Sequence, residues 1–144
     1  MKKLIIFLIV VIVIVSGIYY IYVNYRANYN SAMKSNKEFE QYLNEEIYGS
    51  ELATVINRAI DNNENNKVEK NNKGIYLDNN TNSINIEIKM KDDNNTIYQA
   101  EKIYNGGIQN FIKYYSKIKF KCTEIKYHDQ THKVKYMLFE QIDQ

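Results

Sequence analysis

Residues 4–23, LIIFLIVVIVIVSGIYYIYV, contain no charged side chain, and eighteen of the twenty are apolar. A helix of that length rises about 30 Å, the thickness of a bilayer's hydrocarbon core. The β-branched Ile and Val that fill the run are mediocre helix formers in water. In lipid the backbone must satisfy its own hydrogen bonds, and helix is the conformation open to it. Tyr19, Tyr20, Tyr22 and Tyr25 cluster at the far end, where amphipathic rings favour the headgroup region. The expectation is one transmembrane helix over 4–23, in contact with the lipid bilayer, behind a cytoplasmic tail at 1–3.

The rest of the chain is of another kind. Of 64 apolar residues in 144, those eighteen lie in the run and 46 are spread over the other 124 positions, which also hold all 20 asparagines and no proline or tryptophan. A lipid-like segment joined to a lean polar domain excludes a fully soluble cytosolic protein, a multi-pass transporter and a large enzyme with a deep interior. The competing reading of the run is a cleaved signal peptide, with Val15-Ser16-Gly17 as the cleavage site. The apolar stretch continues past that point and the residue before the cut is Gly17 rather than Ala, so the uncleaved anchor is favoured. No cysteine lies near the end of the run, which excludes a lipoprotein. Lys2 and Lys3 on one flank face Arg26, Lys34 and Lys37 on the other, close to a tie by the charge rule. A short basic tail before an apolar run is the usual insertion signal, and it sets the C-terminal domain on the extracytoplasmic side.

Net charge is +2, contributed by Lys2 and Lys3; from Leu4 onward 17 basic residues balance 17 acidic ones. Such a domain lacks the general basic field of a nucleic-acid binder. Lys113, Lys117, Lys119, Lys121, Lys126, Lys133 and Lys135 make the last third basic, and they read as the solvated face of strands.

No glycine or proline interrupts residues 18–48, so the membrane helix is expected to continue as a helical stalk over 24–48. Tyr25, Tyr29, Ala32, Phe39 and Leu43 recur at helical spacing, with a polar Asn36 in one stripe position. The stripe suits packing on the chain's own domain, the favoured reading, or self-association through the stalk. Residues 49–144 then read as an extracytoplasmic α+β domain. Gly49 breaks the stalk, and Ser50 caps a helix with Leu52, Val55, Ile56, Ala59 and Ile60 on one face, ending near Asp61. DNNENNKVEKNN reads as an exposed loop. Ile84, Ile86, Ile88 and Met90 alternate as a half-buried strand, with residues 75–77 pairing to it across DNNTN. After KDDNN a strand over 96–103 completes a hairpin. A helix follows Gly107, with Ile108, Phe111, Ile112 and Tyr115 on one face. A final hairpin pairs Ile118, Phe120 and Cys122, with a bulge before Ile125 and Tyr127, to an alternating Val134, Tyr136 and Leu138. The sum is a small antiparallel sheet packed with helices, class α+β.

Chemistry-bearing constellations are sparse. Asp61, Asn63 and Asn65 match the first alternate ligands of a calcium loop, but Asn66 stands where glycine is needed and Asn72 where glutamate is needed. The loop from Asp78 ends on Lys89 at its twelfth place, and both stretches read as turns. His128 and His132, the only histidines, flank the last hairpin's turn and are the candidates for a weak, exposed zinc site; ordinary turn residues are the alternative. Glu101 and Glu124 lie near apolar positions and read as partners of neighbouring lysines. The single cysteine, Cys122, allows no intramolecular disulfide and reads as buried and inert. No nucleophile elbow and no phosphate-binding glycine loop is present, so no catalytic residue and no cofactor are expected. The 14 tyrosines suit surface recognition.

An apolar N-terminal helix extended into a stalk before a small α+β head resembles the layout of pilins and pseudopilins. The likeness is one of layout, since the glutamate of the mature pilin helix has no counterpart, and no functional residue carries over. Residues 42–142, with LNEEIYGSELATVINRAIDNNEN and FKCTEIKYH, resemble uncharacterised single-pass membrane-anchored proteins of low-GC Gram-positive bacteria, a likeness that implies no activity. The sequence thus leads to the expectation of a non-enzymatic binding or scaffolding protein of the bacterial envelope, with an envelope protein as partner. A pilin-like subunit of a secretion or filament system is the alternative. A small hydrolase or metal module using His128, His132 and Glu124 is a third, remote one.

Overall fold

The structure, a computed structural model, describes residues 2–91 and 94–142; Met1 of the tail, and Asp92 and Asp93 of the KDDNN turn, lie outside them. Its first element, α1 (Lys2–Glu40), is one uninterrupted helix of 39 residues. The most apolar stretch of α1 is long enough to cross a membrane and none of it is buried inside the protein. Burial begins at Ala32 and continues at Asn36 and Phe39, the four- and three-residue steps that keep side chains on one helix face. Ala32 and Phe39 pack on the chain's own domain, the favoured reading of the stripe, whereas Tyr25 and Tyr29 stay exposed.

α1 stops at Glu40, short of the expected 48. Asn44 takes a left-handed conformation, φ 64°, which asparagine tolerates better than most residues. Its N–H then donates to the Cys122 carbonyl at 2.9 Å. That turn starts an edge strand, β1 (Glu46–Tyr48), too short for a sequence pattern to reveal. The helix α2 (Gly49–Asn65) follows directly. Its first N–H groups are satisfied by the Ile118 and Ser116 carbonyls rather than by a Ser50 cap. A Cβ on Gly49 would overlap the Tyr115 carbonyl, so this close approach requires glycine. α2 runs four residues past Asp61 because its buried stripe includes Asn63.

The sheet order is β1-β4-β5-β2-β3, with β2 (Asn85–Lys89), β3 (Ile97–Gln99), β4 (Lys119–Tyr127) and β5 (Val134–Gln141). The expected purely antiparallel sheet is corrected to a mixed one, because β2 lies parallel to β5, with Ile86 opposite Met137 and Ile88 opposite Phe139. That pairing takes the ladder edge assigned to residues 75–77, which form no strand beyond an isolated bridge between Tyr76 and Lys70. The β2–β3 hairpin is present, but β3 is three residues long and the chain turns at once into α3 (Ala100–Asn105) and then α4 (Ile108–Tyr115). The bulge in β4 falls between Cys122 and Glu124, as the slipped alternation predicts.

One face of the sheet carries Ile86, Ile88, Phe120, Cys122, Met137 and Phe139, all buried in a single core with α2, Phe111 of α4 and Phe39 of α1. On β5 the core positions are thus Met137 and Phe139, and Tyr136 and Leu138 lie on the opposite face; VKYMLF is apolar in both phases, so alternation alone could not set the register. The open face is a mosaic of paired charges. Lys119 meets Glu46 at 3.2 Å, Lys126 meets Glu124 at 3.1 Å and Lys89 meets Glu140 at 3.7 Å. Lysines 119 and 126 are therefore paired members of a solvated face. Replacing Gly49 with Ala should cost the head about 3 kcal/mol through forced displacement of the α4–β4 backbone. Gly17→Ala, where nothing lies within 4 Å, should leave head stability unchanged; urea unfolding of the two variants in micelles checks both.

Candidate functional site

The structure places the chain's unusual polar groups at the junction of α1 with the β4–β5 turn. Asn36 is 8% exposed. Its Nδ2 donates to the His132 carbonyl at 2.8 Å, and its Oδ1 accepts the Val134 N–H at 2.9 Å. A side-chain amide thereby pairs with a strand's backbone as another strand would. Asn63 repeats the device on α2: its Nδ2 donates to the Ile84 carbonyl and its Oδ1 accepts the Ile84 N–H, both at 2.8 Å. The two asparagines satisfy four backbone groups that would each cost about 1–3 kcal/mol if buried alone.

His128 is fully inside, 1% exposed, which corrects its reading as an exposed turn residue. Its Nε2 lies 2.8 Å from the Ser83 carbonyl; a carbonyl can only accept, so Nε2 carries the proton. Its Nδ1 is 3.6 Å from Asp78 Oδ1. His132, by contrast, is exposed, with a left-handed backbone at φ 54°. The pair therefore does not converge, and among the described residues no three His, Cys, Asp or Glu side chains are placed to hold a metal ion. The turn is tied to the loop before β2 a second time, by the Thr131 hydroxyl donating to the Thr81 carbonyl at 2.6 Å. That loop is built as the sequence predicts, from turn-forming side chains. Asn79 Oδ1 accepts the N–H groups of Thr81, Asn82 and Ser83. Asp78 Oδ1 accepts the Asn80 N–H, and that bond leads the causes holding the Asp78 carboxyl below its ordinary pKa, with His128, Ser83 and Lys135 adding to it against partial burial.

The remaining candidates separate. Asp61, Asn63 and Asn65 fall on α2 rather than in a loop, with Asn63 turned inward. Glu124 pairs with Lys126, whereas Glu101 is buried and accepts the Tyr76 N–H. Glu101 lines a crevice of about 160 Å³ with Glu87, Gln99 and Tyr136. There burial, and then the Tyr136 bond to Glu87, drive the tyrosine's pKa upward. Cys122 is buried, and burial pushes its thiol up to about 11, far from the range of a reactive thiolate.

Two larger recesses open to solvent. One, of about 370 Å³, lies beside the edge strand β3 and is walled by Met90, Tyr98, Ile103, Phe111 and Tyr114. The other, of about 520 Å³, runs between α1 and the β4–β5 turn. Sequence reasoning missed both; a stretch of tyrosines was their only signal. Replacing Asn36 with Leu keeps the bulk but removes both bonds, and should destabilise the head by about 2–4 kcal/mol. Asn28→Ala, at an exposed position of α1 on the rim of the recess between α1 and the β4–β5 turn, should change it by less than about 0.5 kcal/mol; chemical denaturation of both variants reads the difference. No protein-family model, curated protein or solved structure gives a significant match to this chain.

Proposed function

We propose that this is a single-pass membrane protein whose extracytoplasmic α+β head binds or scaffolds another component of the bacterial envelope, without catalysis of its own. The observation that carries the binding reading is the recess beside β3. Tyr114 is 68% exposed and Tyr98 37% exposed, although both line a largely apolar groove. Aromatic side chains at a groove are the usual anchors of protein recognition. β3 is also the last strand of the sheet, so its free edge can accept an extended segment of a partner. Anchoring is supported by the exposed apolar stretch of α1, which in water would be an adhesive surface.

A pilin-like subunit is the second reading. It is favoured by the continuity of α1, apolar and exposed in its first half and packed on a sheet-containing head in its last turns. A mature protein that retains Met1–Lys3 would eliminate that reading.

Photo-crosslinking from position 110, on the rim of the β3 groove, in intact membranes should give one discrete envelope partner. Tyr98→Ala/Tyr114→Ala should lower its yield at least about tenfold, the effect of losing a hot-spot aromatic. Equal yields from the double variant would refute the groove as the binding surface.

A further inference from the structure

The second recess has a definite position along α1. Its helix wall includes Tyr25, Tyr29 and Met33, and residues 130–133 form the opposite wall. At 1.5 Å per residue, Tyr25 lies about 3 Å beyond Val23 along the axis, Tyr29 about 9 Å and Asn36 about 20 Å. The headgroup layer on each side of a bilayer is roughly 5–7 Å thick. If residues 4–23 span the core, the lower end of the recess opens within the headgroup layer. The Asn36 bonds to His132 and Val134 prevent the turn from swinging away.

The chemistry of the walls matches that position. The ten lining residues include no carboxylate, and they present phenol, amide, hydroxyl and imidazole groups together with the Lys133 ammonium. Arg26 follows Tyr25 on the helix. Among the described residues neither Arg26 nor Lys133 has a carboxylate within ion-pair distance. Several hydrogen-bond donors and the Lys133 ammonium within the cleft, no carboxylate in its lining, and Arg26 beside its lower end at headgroup height suit a phosphate carried by a lipid.

We propose that the recess between α1 and the β4–β5 turn is a seat for the headgroup of an anionic phospholipid of the membrane that holds α1, and that the head rests on the bilayer surface rather than standing off on a stalk. This inference rests on the membrane-anchored reading above. The lipid's acyl chains lie along the exposed apolar part of α1, its phosphate sits at the lower end of the recess beside Arg26, with the Lys133 ammonium above it, and the tyrosines cover its glycerol region. Met33, 56% exposed, and Ala32 provide the apolar floor.

The test uses the full chain reconstituted in vesicles of phosphatidylcholine alone, or of phosphatidylcholine mixed equally with phosphatidylglycerol. One variant, Gln130→Cys, carries an environment-sensitive fluorophore at an exposed position of the recess; a second, Val15→Cys, carries it within the apolar run. Buried Cys122 is spared by labelling the folded protein. Phospholipids with nitroxides on the headgroup or deep in the acyl chain act as quenchers. The expected result is quenching of the Val15 site by the acyl nitroxide and of the Gln130 site by the headgroup nitroxide, the latter stronger with phosphatidylglycerol. Lys133→Glu should shift the seated population down by about fivefold or more, the scale of one basic residue at an anionic surface; Lys133→Gln should give a smaller drop in the same direction. Quenching at Val15 without quenching at Gln130 would overturn the seat while leaving the anchor intact. Headgroup quenching at Gln130 indifferent to both phosphatidylglycerol and Lys133 would overturn anionic-headgroup recognition. Absence of quenching at Val15 would remove the membrane reading and the seat with it.

Discussion

A buried amide sets how α1 docks on the head. Asn36 donates to the His132 carbonyl of the β4–β5 turn and accepts the Val134 N–H at the start of β5, with its own side chain buried. The Val134 N–H is buried by the helix that supplies its partner, so removing the amide while α1 stays seated would leave that group unpaired. The contact is therefore specific in register as well as favourable. A slip of one residue along α1 would place Ser35 or Lys37 there: lysine can only donate, and serine would have to serve both groups from one oxygen on a shorter side chain. The close packing of Ala32 and Phe39 above and below the amide follows from that register. So does the orientation of the head relative to the apolar half of α1.

The same device explains how a chain with no proline and five glycines closes its long connections. Asn63 fixes the entry to β2, Asn79 closes the loop before it, and Asn71 accepts the Lys73 and Ile75 N–H groups. Asn44, Asn80 and Asn95 take left-handed backbone conformations. Asparagine supplies both the turn conformation and the hydrogen-bonding partner. A polar composition that looks unsuited to a core thus becomes the scaffold that orders one.

Much of this was legible in the sequence. The apolar run, the faces of α2 and α4, the alternation of Ile84 to Met90 and the β4 bulge all follow from periodicity, because each buries one face against a single core. What escaped had local signals that pointed elsewhere or were absent. β1 is three residues with one buried side chain, and nothing in Glu46–Tyr48 separates it from the end of a helix. The parallel pairing of β2 with β5 joins segments some fifty residues apart, a contact that no local pattern encodes. Asn36 and Asn63 look like defects in an apolar stripe, yet they are buried because they bond backbone. His128 reads as a turn residue because its partner, the Ser83 carbonyl, is distant in sequence. The two recesses arise from how elements meet and leave only the abundance of tyrosine as a trace.

The Asn36 junction should persist when the chain is placed in a membrane. Amide hydrogen exchange of the full protein in lipid bilayers measures this directly at Val134, whose N–H has Asn36 Oδ1 as its partner. Val134 should exchange as slowly as core amides such as Ile86 and Phe139, and Asn36→Leu should accelerate it selectively by at least about tenfold, the factor equivalent to 1.4 kcal/mol. Rapid exchange at Val134 in the unaltered chain, with the sheet amides still protected, would contradict it.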